Sequence, residues 1–96
     1  MIGFVSNVIF FNIMFYVYIL YSSKIDRYYI GYSENPEKRL LEKHNLGYVK
    51  STKIGVPYIL KSKKLFQTEI EAIQEERRLK KAKNRKYLEY LNDNNW

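Results

Sequence analysis

The sequence predicts an α+β fold, a single small domain whose strands and helices follow in the order ββαβαα. Three observations carry this. Residues 15–22 and 27–32 are dense in tyrosine, valine and isoleucine and are split by the turn-forming string "SSKID", which reads as a hairpin. Two later segments open on helix-start signals, Asn35-Pro36 in one and Thr68 with Glu71 in the other. Between them, residues 58–66 read as a third strand, with Pro57 at its start, where a missing N–H is tolerated.

Taken in order, residues 15–22 are apolar at nearly every position rather than at alternate ones, so this strand is expected at the centre of its sheet. A hairpin symmetric about Ser23–Lys24 would set Tyr18 directly opposite Tyr29 on one face. Gly31, two residues on, would leave open space beside them. In "ENPEKRLLEKHNLG", Asn35 is the expected N-cap, Pro36 suits the first helical position and Gly47 closes the element. "YVKSTKIG" is a basic, turn-rich loop. Thr68 and Glu71 form a capping box; acids crowd the start of that helix and bases its end, matching the macrodipole. A break and a final helix complete a domain expected over residues 15–91, with a tail at 92–96.

The chain of 96 residues carries 17 Lys and Arg against 10 Asp and Glu, a net charge of +7. That balance makes polyanions the first partners to consider, nucleic acid before anionic lipid. With no cysteine there is no disulfide partner and no thiolate metal site, which suits a reducing compartment such as the cytoplasm. From Met1 to Ser23 there is no charged residue, a run long enough to span a bilayer. Asn7 and Asn12 interrupt it, and if residues 15–22 belong to a sheet, only residues 1–14 remain, too short to cross. Residues 1–14 are therefore read as an apolar extension, with Met14 as the expected true start. A small protein anchored in a membrane by its first 22 residues is the competing reading.

Several residues could carry chemistry. Tyr18 and Tyr29 are either an aromatic cross-strand pair that only stabilises the sheet or two phenols facing a substrate. Arg39, in the first turns of its helix, could fork onto a phosphate. Glu76 has Ala72, Ile73, Leu79 and Lys80 at spacings of three and four, which puts a carboxylate in the core-facing stripe. Such a group is either half of an ion pair, with Arg39 or Lys80, or the holder of a hard divalent cation, which needs only one or two protein carboxylates. His44, the only histidine, stands near a helix end where a protonated imidazole is favoured. "RRLKKAKNRK" at 77–86 holds bases and no acid. Together with Tyr48, Tyr58 and Tyr87 it suits a phosphate backbone, and Lys43, Lys50, Lys53, Arg77, Lys81 and Arg85 are the candidate contacts.

"VYI" at 17–19 followed by "YIG" at 29–31 resembles the paired signature of the GIY-YIG nuclease superfamily. "YYIGYSENPEKRLLEKHN", "STKIGVPYIL" and "TEIEAIQEERRLKKAKNRKYLEYL" are similar to the later segments of its small stand-alone bacterial members. The resemblance implies a three-stranded mixed sheet flanked by helices. It also implies hydrolysis of phosphodiester bonds with one Mg²⁺ or Mn²⁺, leaving 5′-phosphate and 3′-hydroxyl ends. Residue by residue, Tyr18 and Tyr29 match the motif tyrosines, Arg39 the arginine that steadies the scissile phosphate, and Glu76 the glutamate that binds the metal. There are two departures. Tyr16 replaces the family's first glycine. The family histidine usually stands four residues after the arginine, where this chain has Lys43; His44 is five after, about 100° further round an α-helix. Either the helix ends early and His44 swings in, or Lys43 takes its place, or the site is impaired. The expected function is a metal-dependent endonuclease hydrolysing phosphodiester bonds in DNA, with RNA as a secondary partner, structure-selective or weakly sequence-specific, its choice of substrate set by DNA shape or by a partner protein. A catalytically silent nucleic-acid-binding module is the alternative on the same fold.

Overall fold

The computed structural model describes residues 4–5, 8–9, 14–94 and 96, so most of the apolar extension and Asn95 of the tail lie outside the described residues. Strands β1 (Phe15–Ser22), β2 (Arg27–Ser33) and β3 (Ile59–Phe66) form one sheet in the order β2-β1-β3. Upstream, Phe4–Val5 pairs with Val8–Ile9 in a two-residue ladder. Both pairings of the main sheet are antiparallel, which corrects the expectation of a mixed sheet. The physical reason is the position of β1. It separates β2 from β3, so these two strands run the same way without ever hydrogen-bonding.

Val17, Tyr18, Ile19 and Leu20 of β1 are all buried, because the central strand is covered on both faces. On one face Val17 and Ile19 join Ile30, Ala72, Leu79, Leu88 and Leu91. The last four come from α2 (Glu69–Ala82) and α3 (Arg85–Asp93). On the other, Tyr18, Leu20 and Tyr58 form a second cluster against Tyr29, Leu40, Val56 and Leu60. Residues 15–22 are thus spent in the sheet, which overturns the reading in which the first 22 residues insert into a membrane. No helix among the described residues is long and apolar enough to cross one.

The local signals behave as their chemistry requires. Asn35 caps α1 (Pro36–Arg39) by accepting from Lys38 N–H at 3.1 Å. Thr68 caps α2 by accepting from Glu71 N–H at 3.2 Å, while its own hydroxyl donates to the Glu71 carboxylate at 3.0 Å. Lys83 turns left-handed (φ 48°) to end α2, and Asn84 caps α3. Lysines 61, 63 and 64 stand exposed on the outer strand β3, where charge discourages edge-to-edge pairing.

The hairpin register differs from the symmetric expectation. Ser22 pairs with Arg27 around a four-residue turn, and Tyr18 lies opposite Gly31, Leu20 opposite Tyr29. Asp26 makes this possible by adopting a left-handed φ of 52°. Relative to the expected pairing, Tyr18 finds its partner two residues further along, and a slip of two keeps every side chain on its face. Tyr18 and Tyr29 therefore remain on one face as diagonal neighbours, ring centroids 6.5 Å apart. The space expected beside Gly31 is filled. A Cβ there would meet the Tyr18 ring and hydroxyl at 2.6 Å, so glycine is what lets the phenol lie across the strand.

Candidate active site

The site is built on the Tyr18 face of the sheet. Its decisive local feature is a π-helical turn, Leu40–His44, that follows directly on α1. A π-turn takes in one more residue than an α-turn for the same rotation. It therefore absorbs the five-residue spacing between Arg39 and His44 and turns the imidazole inward. His44 is fully buried, its Nε2 2.8 Å from the Tyr18 hydroxyl and its Nδ1 2.9 Å from Thr52 Oγ1. The ring stands edge-on to both Tyr18, at 5.8 Å, and Tyr29, at 5.2 Å. Lys43 remains exposed and does not take its place.

The next residue locks the turn. Asn45 donates through Nδ2 to the Tyr58 carbonyl at 3.0 Å and accepts through Oδ1 from Tyr58 N–H at 2.7 Å. This two-point clamp fixes the end of the π-turn to the start of β3. The loop between them carries Thr52, fully buried, whose hydroxyl reaches the Val49 carbonyl at 3.2 Å. Sequence reasoning missed both residues. Asn45 and Thr52 sit among lysines, serine and glycine in what reads as a solvated turn, and no pattern in the chain marks either as buried or bonded.

Electrostatics here are governed by burial. Desolvation pushes the Tyr18 phenol well above its ordinary value, the neighbouring Tyr29 adds to this, and Arg39 pulls part of it back. Arg39 by itself therefore does not lower this phenol into the neutral range. His44 is lowered to about 4, by burial first and by the positive charge of Arg39 second. The imidazole is neutral, not the protonated group expected at a helix end. Among the described residues Arg39 has no carboxylate at ion-pair distance. Arg39 also lines a surface concavity together with Lys38, Lys43, Glu34 and Glu42.

Glu76 keeps 16% of its side chain exposed and meets Lys80 Nζ at 3.4 Å, one of the two partners expected. The same ammonium lies 5.5 Å from the Tyr29 ring centroid, which ties Glu76 to the rim of the phenol pair. Among the described residues no three His, Cys, Asp or Glu side chains gather as a metal cluster. The donor set nevertheless fits a hard cation. One carboxylate, contacted only by an exposed lysine, suits an ion that keeps its waters and shares the phosphate oxygens of a substrate.

The basic candidates separate. Lys50, Lys53, Arg77 and Lys81 are exposed. Arg85 is not free: it bonds Asp26 at 2.6 Å and the Asp26 carbonyl at 3.0 Å, with Glu89 at 3.4 Å. It pins the hairpin turn to α3. Of the interleaved tyrosines, Tyr58 is buried at 4% exposure and Tyr87 packs against the core, while Tyr48 is 73% exposed. Tyr58 is a core residue, and Gly55 makes room for its ring, because a Cβ there would collide with the phenol.

A family model described as the GIY-YIG catalytic domain matches residues 14–88. The chain matches none of the curated proteins and none of the solved structures compared with it.

Proposed function

Because the chain belongs to the GIY-YIG catalytic-domain family, whose domain is a nuclease domain, we propose that it is an endonuclease hydrolysing phosphodiester bonds in DNA with a divalent cation at Glu76. The observation that carries this reading is the buried 2.8 Å hydrogen bond between Tyr18 and His44 beside Arg39, which among the described residues has no carboxylate at ion-pair distance. A cation held by Glu76, when bound, supplies Lewis-acid polarisation of the phosphate.

The protein's own groups divide the remaining work. Arg39 takes the scissile phosphate through its guanidinium fork and stabilises the charge that grows on the equatorial oxygens. The attacking water gives its proton to the Tyr18 oxygen while the Tyr18 proton passes to His44 Nε2. The water becomes hydroxide, the phenol is restored and the imidazole becomes charged. Hydroxide forms the new P–O bond, the bond to the 3′-oxygen breaks, and that oxygen takes a proton from solvent. A phenol whose own ionisation is suppressed by burial suits a relay better than a stored phenolate. The bound phosphate adds negative charge next to His44, which raises the proton affinity that burial has lowered. The base is thereby strengthened by the substrate itself. The relay works only if Nε2 is bare.

The experiment is cleavage of branched, nicked and linear DNA with Mg²⁺, Mn²⁺ or EDTA. The expected result is metal-dependent cleavage that Arg39→Ala reduces by about 100–1,000-fold, the scale of losing one preorganised charge donor. DNA binding without cleavage under any metal would replace this reading with that of a silent binding module.

A further inference from the structure

We infer that Thr52 is a positioning residue that holds His44 in the Nδ1–H tautomer, so that Nε2 presents a bare lone pair to the Tyr18 hydroxyl. The inference rests on the nuclease reading only for its effect on turnover. The tautomer follows from counting protons along one buried chain of four groups.

The chain runs from the Val49 carbonyl through Thr52 Oγ1 and the His44 ring to the Tyr18 hydroxyl, with separations of 3.2, 2.9 and 2.8 Å. Val49 O can only accept. Three protons are available: one on Thr52, one on the neutral imidazole and one on Tyr18. With the imidazole proton on Nδ1, each finds a partner. Thr52 O–H donates to Val49 O, Nδ1–H donates to Thr52 Oγ1, and Tyr18 O–H donates to Nε2.

With the proton on Nε2 the count fails. Nε2–H would donate to the Tyr18 oxygen and Thr52 would turn its hydroxyl to Nδ1. The Tyr18 proton would then have no acceptor among the described residues, and Arg39 beside it is a donor only. Tyr18 is 1% exposed, and in the resting protein, before substrate and its attacking water are bound, a buried hydroxyl left without an acceptor is destabilising. The Val49 carbonyl keeps a bond from Thr52 N–H at 3.0 Å in either case, so the Nδ1–H tautomer is preferred because it alone satisfies Tyr18. Thr52 Oγ1 is the acceptor that makes that tautomer's Nδ1–H tolerable in a buried site. Thr52 thus acts through His44 without touching a substrate, as the outer partner of a ligating or catalytic histidine generally sets its tautomer.

His44 is the only histidine in the chain, so its ring nitrogens can be assigned without ambiguity. A long-range ¹H–¹⁵N correlation spectrum of the ¹⁵N-histidine-labelled protein at neutral pH reads the tautomer in the resting state, independent of any cleavage. The expected result is a pyrrole-type signal for Nδ1 and a pyridine-type signal for Nε2. Thr52→Val keeps the shape and removes the hydroxyl. It should lose that pattern and lower kcat by about 10–100-fold at unchanged KM, the range seen when such outer partners are removed. Thr52→Ser should restore both. A protonated Nε2 in the parent protein overturns the inference even if DNA is cleaved, and so does a Thr52→Val variant that retains both the parent pattern and the parent kcat. Should Thr52→Val fail to fold, the parent and Thr52→Ser spectra alone decide.

Discussion

At the scale of single residues, Glu76 separates chemistry from stability. Its partner Lys80 is about half exposed and 3.4 Å away within one helix, an arrangement worth only about 0.3–0.5 kcal/mol. Glu76→Gln should therefore melt within a degree or two of the parent and bind DNA as well, yet cleave at least ~100-fold more slowly. A destabilised variant with normal metal-dependent cleavage would sink the ligand assignment. His44 gives the complementary case. Folding holds its pKa near 4, against about 6.5 in the unfolded chain, so the unfolded chain binds a proton that the folded one refuses. The stability involved is whole above about pH 6.5, declines as pH falls, and is gone below about pH 4, a loss of roughly 3 kcal/mol. Urea melts across this window should show that decline in the parent and not in His44→Gln. Parallel curves would mean that the imidazole is charged in the fold.

At the scale of elements, the π-turn makes the sharpest claim. Deleting Leu41, which is 67% exposed, restores a four-residue spacing, and an ordinary α-turn should then deliver His44 to Tyr18. That variant is expected to stay folded and active. Inserting one alanine after Leu41 should instead swing the ring away and strand Tyr18 and Thr52, a destabilisation of about 1–3 kcal/mol. Thermal melts and cleavage rates of the two variants check this. The contrast also explains what could be read from the chain. The caps at Asn35 and Thr68 were legible because an N-cap is satisfied within three residues, and central β1 because double burial leaves a compositional trace. The π-turn was not, because what favours it is Tyr18, 26 residues away. The hairpin register escaped for a similar reason: nothing local marks Asp26 as left-handed, a conformation accompanied by its contacts with Tyr21 and Arg85. Glu76, Tyr29 and Arg39 could be put forward as candidates from type and spacing, whereas Thr52 had no signal at all.

At the scale of the whole molecule, charge and extent are the open variables. Arg77→Ala with Lys81→Ala should reduce the slope of log K against log salt by about 2, if each neutralises one phosphate. Arg85→Ala should leave that slope alone and lower the melting temperature, since its charge is already spent on Asp26. An unchanged slope in the double variant would make α2's basic face a solvated surface. A chain begun at Met14 is expected to keep its melting temperature and its cleavage rate, and a large loss of stability on truncation would show that residues 1–13 pack on the domain. Finally, β1 sorts its side chains by parity. Val17 and Ile19 face α2 and α3, while Tyr18 and Leu20 face the other cluster. A substitution scan along these four neighbours should thus alternate, odd positions answering in melting temperature and even ones in turnover. The alternation is not insulation, however. All four hang from one backbone, so a core substitution that rolls the strand by a fraction of an ångström moves the phenol hydroxyl with it. The rate constant becomes a strain gauge for the far side of the sheet.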